Sequence, residues 1–146
     1  MRAKIIVCIL MLLSLAALEG QNISLVSESL PGLGSDLYGF RRYGDYGLFY
    51  GWEYHLSIID LAAPGVTAPV ATLDLPESWG PCVDLQLSGH HAYLFFARKI
   101  HIVDLSDVRH PFEAAVFTLP EPCRGQVAQG SYLYTVSDSG NLYAYN

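Results

Sequence analysis

Lys99-Ile-His-Ile-Val-Asp104-Leu105 is an apolar segment ending in Asp-Leu, and its shape occurs twice more in the chain. His55-Leu-Ser-Ile-Ile-Asp60-Leu61 stands 44 positions earlier, and Asn141-Leu-Tyr-Ala-Tyr-Asn146 ends 42 positions later. The flanks repeat in step. Aromatic runs precede the copies at Tyr46–Tyr50, Tyr93–Phe96 and Tyr132–Tyr134. The first two copies are followed by Pro69–Pro76 and Pro111–Pro120, each closing on Leu-Pro, then Glu, then Pro-Cys at Pro81-Cys82 and Pro122-Cys123. A near-constant period of this size is the mark of a repeat architecture.

One period divides into four short strands. Val83, Leu85 and Leu87 alternate with polar residues and share one face. Ser88-Gly89-His90-His91 supplies a turn, and Ala92 to Ala97 is the near-continuous apolar run of a strand covered on both faces. Ile100 to Leu105 and Ala114 to Leu119 complete the set, with Pro120 as a stop. Four strands in about 42 residues match a β-propeller blade. The predicted fold is therefore all-β and propeller-like. Repeats fall at about 32–76, 77–120 and 121–146, and a further strand at 22–31 ends, like the others, in Leu-Pro. Ten Tyr, thirteen Gly and eight Pro fit strands and turns, and 51% apolar residues with 15% charged exclude a disordered chain.

Ile100-His-Ile-Val-Asp104-Leu-Ser-Asp107 resembles the LVIVD repeat of bacterial and archaeal surface proteins, and the likeness extends over most of residues 21–146. The middle copy departs from that motif at Ile100 and His101, the first at Ser57 and Ile59, and the third keeps only Leu142. The resemblance implies propeller-like extracytoplasmic interaction modules. It carries no common catalytic residues.

Three blades are fewer than the four to eight that typically close a ring. The expectation is a partial propeller belonging to a longer chain, or half of a ring made by two copies, with residues 22–31 completing the last blade. Residues 1–20 (MRAKIIVCILMLLSLAALEG) read as a signal peptide, with Arg2 and Lys4 before an apolar run of about 14 residues, too short to span a bilayer. Cleavage after Ala16 or after Gly20 fits equally. The domain that follows, residues 21–146, is then expected outside the cytoplasm, as a periplasmic, cell-surface or secreted protein. Net charge is −6, and loss of Arg2, Lys4 and Glu19 makes the remainder one unit more negative. That excludes a nucleic-acid footprint and disfavours anionic membranes. Asn22-Ile23-Ser24 fits a glycosylation acceptor. Cys82 and Cys123 allow two readings, a disulfide or two buried thiols.

The recurring acid has a structural reading. Asp60, Asp104 and, at the matching place, Asn146 end strands where a side-chain oxygen can accept a backbone N–H two residues on. No nucleophile elbow, phosphate-binding loop or metal-ligand spacing occurs, so neither a cofactor nor a metal is expected. Trp52, Tyr54, Trp79, His90, His91 and Arg98 flank or occupy loops and form the candidate interaction surface, for a protein or glycan ligand. Arg41-Arg42 is read as a second charged turn. The primary function expected is a non-catalytic binding or scaffold module. The alternative is part of a secreted propeller enzyme such as a hydrolase, with Asp36, Asp84 and Arg124 approaching a channel.

Overall fold

The computed structural model describes residues 37–52, 54–63, 68–75 and 80–146. Within them every regular element is a β-strand. The expected leader, the expected strand at 22–31, Asp36 and Trp79 lie outside the described residues. No helix among the described residues is long and apolar enough to cross a membrane.

Three antiparallel sheets follow one another along the chain, and they are not closed into a barrel. Sheet 1 holds β1 (Leu37–Tyr43), β2 (Tyr46–Gly51), β3 (His55–Asp60) and β4 (Ala71–Asp74), in chain order. Sheet 2 holds β5 (Asp84–Ser88), β6 (His91–Phe95), β7 (Lys99–Asp104) and β8 (Phe112–Thr118) in the same order. Sheet 3 has three strands, β9 (Cys123–Gln129), β10 (Tyr132–Ser137) and β11 (Leu142–Tyr145). The third repeat shows three strands among the described residues, and the strand expected to complete it, at 22–31, lies outside them. Arg41-Arg42 departs from expectation. Both residues lie within β1, opposite Leu48 and Gly47, because the turn comes two residues later.

The first hairpin of every sheet is closed the same way. Gly44, Gly89 and Gly130 each take the first central turn position with φ of 58–59°, and the residue after each keeps negative φ. This is the type II′ signature, whose twist suits the flanking strands and whose first position favours glycine.

Strand alternation decides how the sheets stack. Leu48, Tyr50, Leu56 and Ile58 lie on one face of sheet 1 and pack with Leu85, Ala92, Leu94, Phe96 and Val103 of sheet 2. On the opposite face of sheet 2, Phe95 and Ile100 pack with Leu133 of sheet 3, supported by Tyr93 and Tyr145. Consecutive residues of β6 therefore serve two different cores, which is why Ala92 to Phe96 is apolar throughout. Each large side chain so buried contributes roughly 1.5–3 kcal/mol.

Backbone hydrogen bonds repeat with the sequence. Leu61 N–H donates to Asp45 O at 2.8 Å and Leu105 N–H to His90 O at 2.7 Å, tying the end of each third strand to the first hairpin. Leu75 N–H donates to Tyr54 O at 2.7 Å and Leu119 N–H to Arg98 O at 2.8 Å. These are the leucines of the two Leu-Pro pairs, and both are buried.

Candidate functional site

The first strands of the three sheets lie side by side, β1 against β5 and β5 against β9. Polar side chains meet at this junction. Arg41 Nη2 of β1 donates to Asp84 Oδ1 at 2.7 Å. Gln86 Nε2 and Gln126 Nε2 both donate to Asp84 Oδ2, at 2.6 Å and 2.7 Å. Asp84 opens β5, Gln86 shares its strand, and Gln126 comes from β9, so one carboxylate joins all three sheets. Burial raises the Tyr50 hydroxyl above its ordinary value, opposed by Arg41 and aided by the Asp84 carboxylate. With both oxygens of Asp84 engaged, the cluster is a polar latch between first strands.

The two cysteines occupy matching seats beside this latch. Cys82 N–H donates to Gly51 O at 3.1 Å, and Cys123 N–H to Ala97 O at 3.0 Å. The first bond fastens sheet 2 to the last residue of β2, and the second fastens sheet 3 to the loop after β6. Each thiol then turns to a carbonyl two residues on, Cys82 Sγ to Asp84 O at 3.2 Å and Cys123 Sγ to Gly125 O at 3.3 Å. Both are free, so the disulfide considered from the sequence is not formed. The physical reason is the repeat itself, which places the pair at equivalent positions of successive sheets rather than facing each other. Burial pushes the Cys82 thiol up to about 12 and also raises Cys123, which disfavours the reactive thiolate at both.

The expected interaction residues divide between two ends of the sheets. His90 and His91 lie at the hairpin end. Tyr43 Oη and His90 Nδ1 are 2.9 Å apart, joining the first hairpins of sheets 1 and 2. Ser88 Oγ donates to Gly130 O at 3.2 Å and joins those of sheets 2 and 3. His91 is the first residue of β6 and lies 3.8 Å from Asp104, so only His90 is a turn residue. Asp60 Oδ1 accepts from Ala62 N–H at 2.9 Å, and Asp104 Oδ1 from Ser106 N–H at 2.7 Å. Asn146 follows β11, exposed. Among the described residues no three His, Cys, Asp or Glu side chains come together as a metal site.

Trp52, Tyr54 and Arg98 lie at the opposite end, in the loops after second strands. Trp52 is exposed. Tyr54 packs against the core between sheets 1 and 2 and has φ of 50°, a left-handed conformation held by its carbonyl bond to Leu75. Arg98 Nη2 donates to Pro120 O at 2.8 Å and braces the connection to sheet 3. Arg124 Nε donates to Asp138 Oδ1 at 2.9 Å at this end.

Two further groups lie outside the expected interaction surface. Glu121 Oε1 accepts from Asn141 Nδ2 at 3.0 Å and Tyr143 Oη at 2.9 Å, and Ser139 Oγ donates to Oε2. Bonds from the Ser139, Ser137 and Tyr143 hydroxyls hold its carboxyl down to about 2. His101 is fully buried, with Nδ1 at 2.6 Å from Glu113 Oε2 and its ring edge-on to Phe96. The signal for His101 was its departure from an otherwise apolar motif.

No family model matches the chain, and no curated protein does. Among solved structures it is similar to the computationally designed Ika4 protein, with a TM-score of 0.59 and 8% identity, covering 76% of this chain and 66% of that one. It also matches the N-terminal domain of Nup159 at a TM-score of 0.46 and 12% identity, covering 66% of this chain and 27% of that one. The chain thus spans less than two thirds of each of these two structures, and the likeness to Ika4 is one of fold alone.

Proposed function

We propose that the three sheets are blades of a propeller-like assembly of the LVIVD kind, and that the chain is a non-catalytic interaction module working outside the cytoplasm. The observation that carries the non-catalytic reading is the state of Asp84. Its two oxygens accept three side-chain donors at 2.6–2.7 Å, whereas a general base needs a lone pair directed at substrate. The blade reading is supported by the stacking of sheets on both faces of sheet 2 and by first strands that run side by side. Extracytoplasmic placement is supported by the sequence of residues 1–20. Exposed Trp52 is the aromatic best placed to contact a protein or glycan ligand.

An array of defined glycans and surface proteins, probed with the full chain, tests the reading beside a panel of ester, phosphate and glycoside substrates. Saturable capture without turnover, weakened by Trp52→Ala, is the expected result. Turnover that Asp84→Ala abolishes while the fold persists would overturn it in favour of a hydrolase.

A further inference from the structure

Among the described residues β8 is the outer strand of sheet 2, and all seven of its residues are exposed, on both faces alike. A strand bonded on both sides, such as β7, is buried or half-buried throughout. Exposure along the whole of β8 therefore marks a bare rim. The phase of its ladder follows from Leu119 N–H, which donates to Arg98 O at 2.8 Å. Leu119 with Arg98, Phe117 with Ile100 and Ala115 with Ile102 are then the bonded pairs, while Val116 and Thr118 turn their N–H and C=O groups outward. The strand is apolar, with Phe112 at 54% exposure and Val116 and Phe117 at 38%. Its one charged side chain, Glu113, is turned to buried His101 at 2.6 Å. Neither a lysine nor a proline, two usual guards of a strand edge, occurs between Phe112 and Thr118.

A cleft flanks β8 on each face. Toward sheet 3 lies one of about 470 Å³, lined by Ile102, Phe117, Leu133 and Tyr145 among others. Toward sheet 1 lies one of about 420 Å³, lined by Phe96, Ala97, Arg98, Lys99 and Thr118. Resting on the interaction-module reading above, we infer that β8 takes up an extended peptide segment of a partner protein as a fifth, antiparallel strand of sheet 2. Main-chain bonds at Val116 and Thr118 supply the affinity, and side chains that alternate between the two clefts supply the specificity. A glycan has no such ladder to offer, so the partner is a protein. Residues of the segment that face sheet 3 are large and apolar, to fill the cleft beside Phe117. Those opposite Val116 and Thr118 share their face and carry carboxylates, because Arg98 and Lys99 rim that cleft. Arg98 is exposed and gives one donor to the neutral carbonyl of Pro120, which leaves its positive charge to act on the segment. The partner segment thus alternates apolar and acidic residues.

The test is fluorescence anisotropy of a labelled synthetic peptide, Thr-Phe-Glu-Val-Glu-Val-Thr, titrated with the full chain. The expected result is saturable binding that weakens roughly tenfold or more when both Glu amides are methylated, which removes the ladder donors, and also when both Glu are exchanged for Lys. On the protein side Val116→Pro should weaken it likewise, since it removes an outward N–H and leaves the ladder to β7 intact. Near-UV circular dichroism of that variant should stay native, and the methylated peptide tests the same bonds without touching the fold. Binding that survives methylation overturns the inference. So does a two-chain particle, seen by light scattering, that the peptide does not dissociate, because the rim then belongs to a second copy. Absence of binding overturns it as well, whatever the array shows, and the module reading stands or falls on that array alone.

Discussion

Arg41 and Asp84 meet at 2.7 Å across the seam between the first strands of sheets 1 and 2, 43 residues apart in sequence. The arginine side chain is about half exposed and the carboxylate is 17% exposed. The pair is therefore asymmetric. Arg41 can return to water, while Asp84 is bound from three sides.

Removing the carboxylate should cost more than removing the cation. Asp84→Ala strands Gln86 and Gln126 without their common acceptor and is expected to lower unfolding free energy by about 2–3 kcal/mol. Arg41→Ala should cost about 1 kcal/mol or less, as solvent screens its pair. Urea titrations of both variants check the order, and an equal or inverted cost would refute the latch.

The type II′ hairpins give a second expectation. A Cβ at Gly44, Gly89 or Gly130 meets nothing within 4 Å, so only the left-handed backbone opposes substitution. Alanine at any one of the three should cost about 1 kcal/mol. Thermal melts of the three single variants should shift by similar amounts, since the turns are built alike.

Cysteine chemistry separates the two thiols from a disulfide. Cys82, with its thiol raised to about 12 and nearly inaccessible, should resist a thiol reagent at pH 8 and react only on unfolding. Cys123, half-buried and raised less, should react slowly in the native state. Mass spectrometry after alkylation in denaturant without reductant should find both modified. A remaining bridge between them would contradict the repeat-based seating.

Acid should loosen sheet 3 first. The Glu121 carboxyl keeps its charge down to about pH 2 in the folded chain, against an ordinary value of 4.5. The stability it supplies is complete above pH 4.5 and is lost as pH falls toward 2. Glu121→Gln should behave at neutral pH as the parent does in acid. Tyr143 and Asn141 amide signals followed by NMR would report that loosening near β11.

Much of this was legible in the sequence because the period and the alternation carry it. The apolar run at Ala92–Ala97 announced a strand covered on both faces, and β6 at His91–Phe95 occupies that place with a core on each side. Side-chain partnerships between sheets were harder. From the sequence, Asp84 stands out as a residue near the start of a first strand that could approach a channel, without its partners. Yet Gln126 stands one period later, and residues one period apart on first strands become neighbours when the sheets stack. The same reasoning settles the cysteines, which sit nearly one period apart and so take like seats. Glu121 escaped notice because its partners, Ser137, Ser139 and Asn141, read only as a loop until the hairpin folds them back.

The middle sheet has a neighbour on each side, while the other two are described with one. A defect at Leu94 therefore weakens the first seam, one at Phe95 weakens the second, and a distortion of the β6 backbone between them opens both at once. Among the described residues, sheets 1 and 3 are joined through this middle slab, so strain at one seam reaches the other by way of β6.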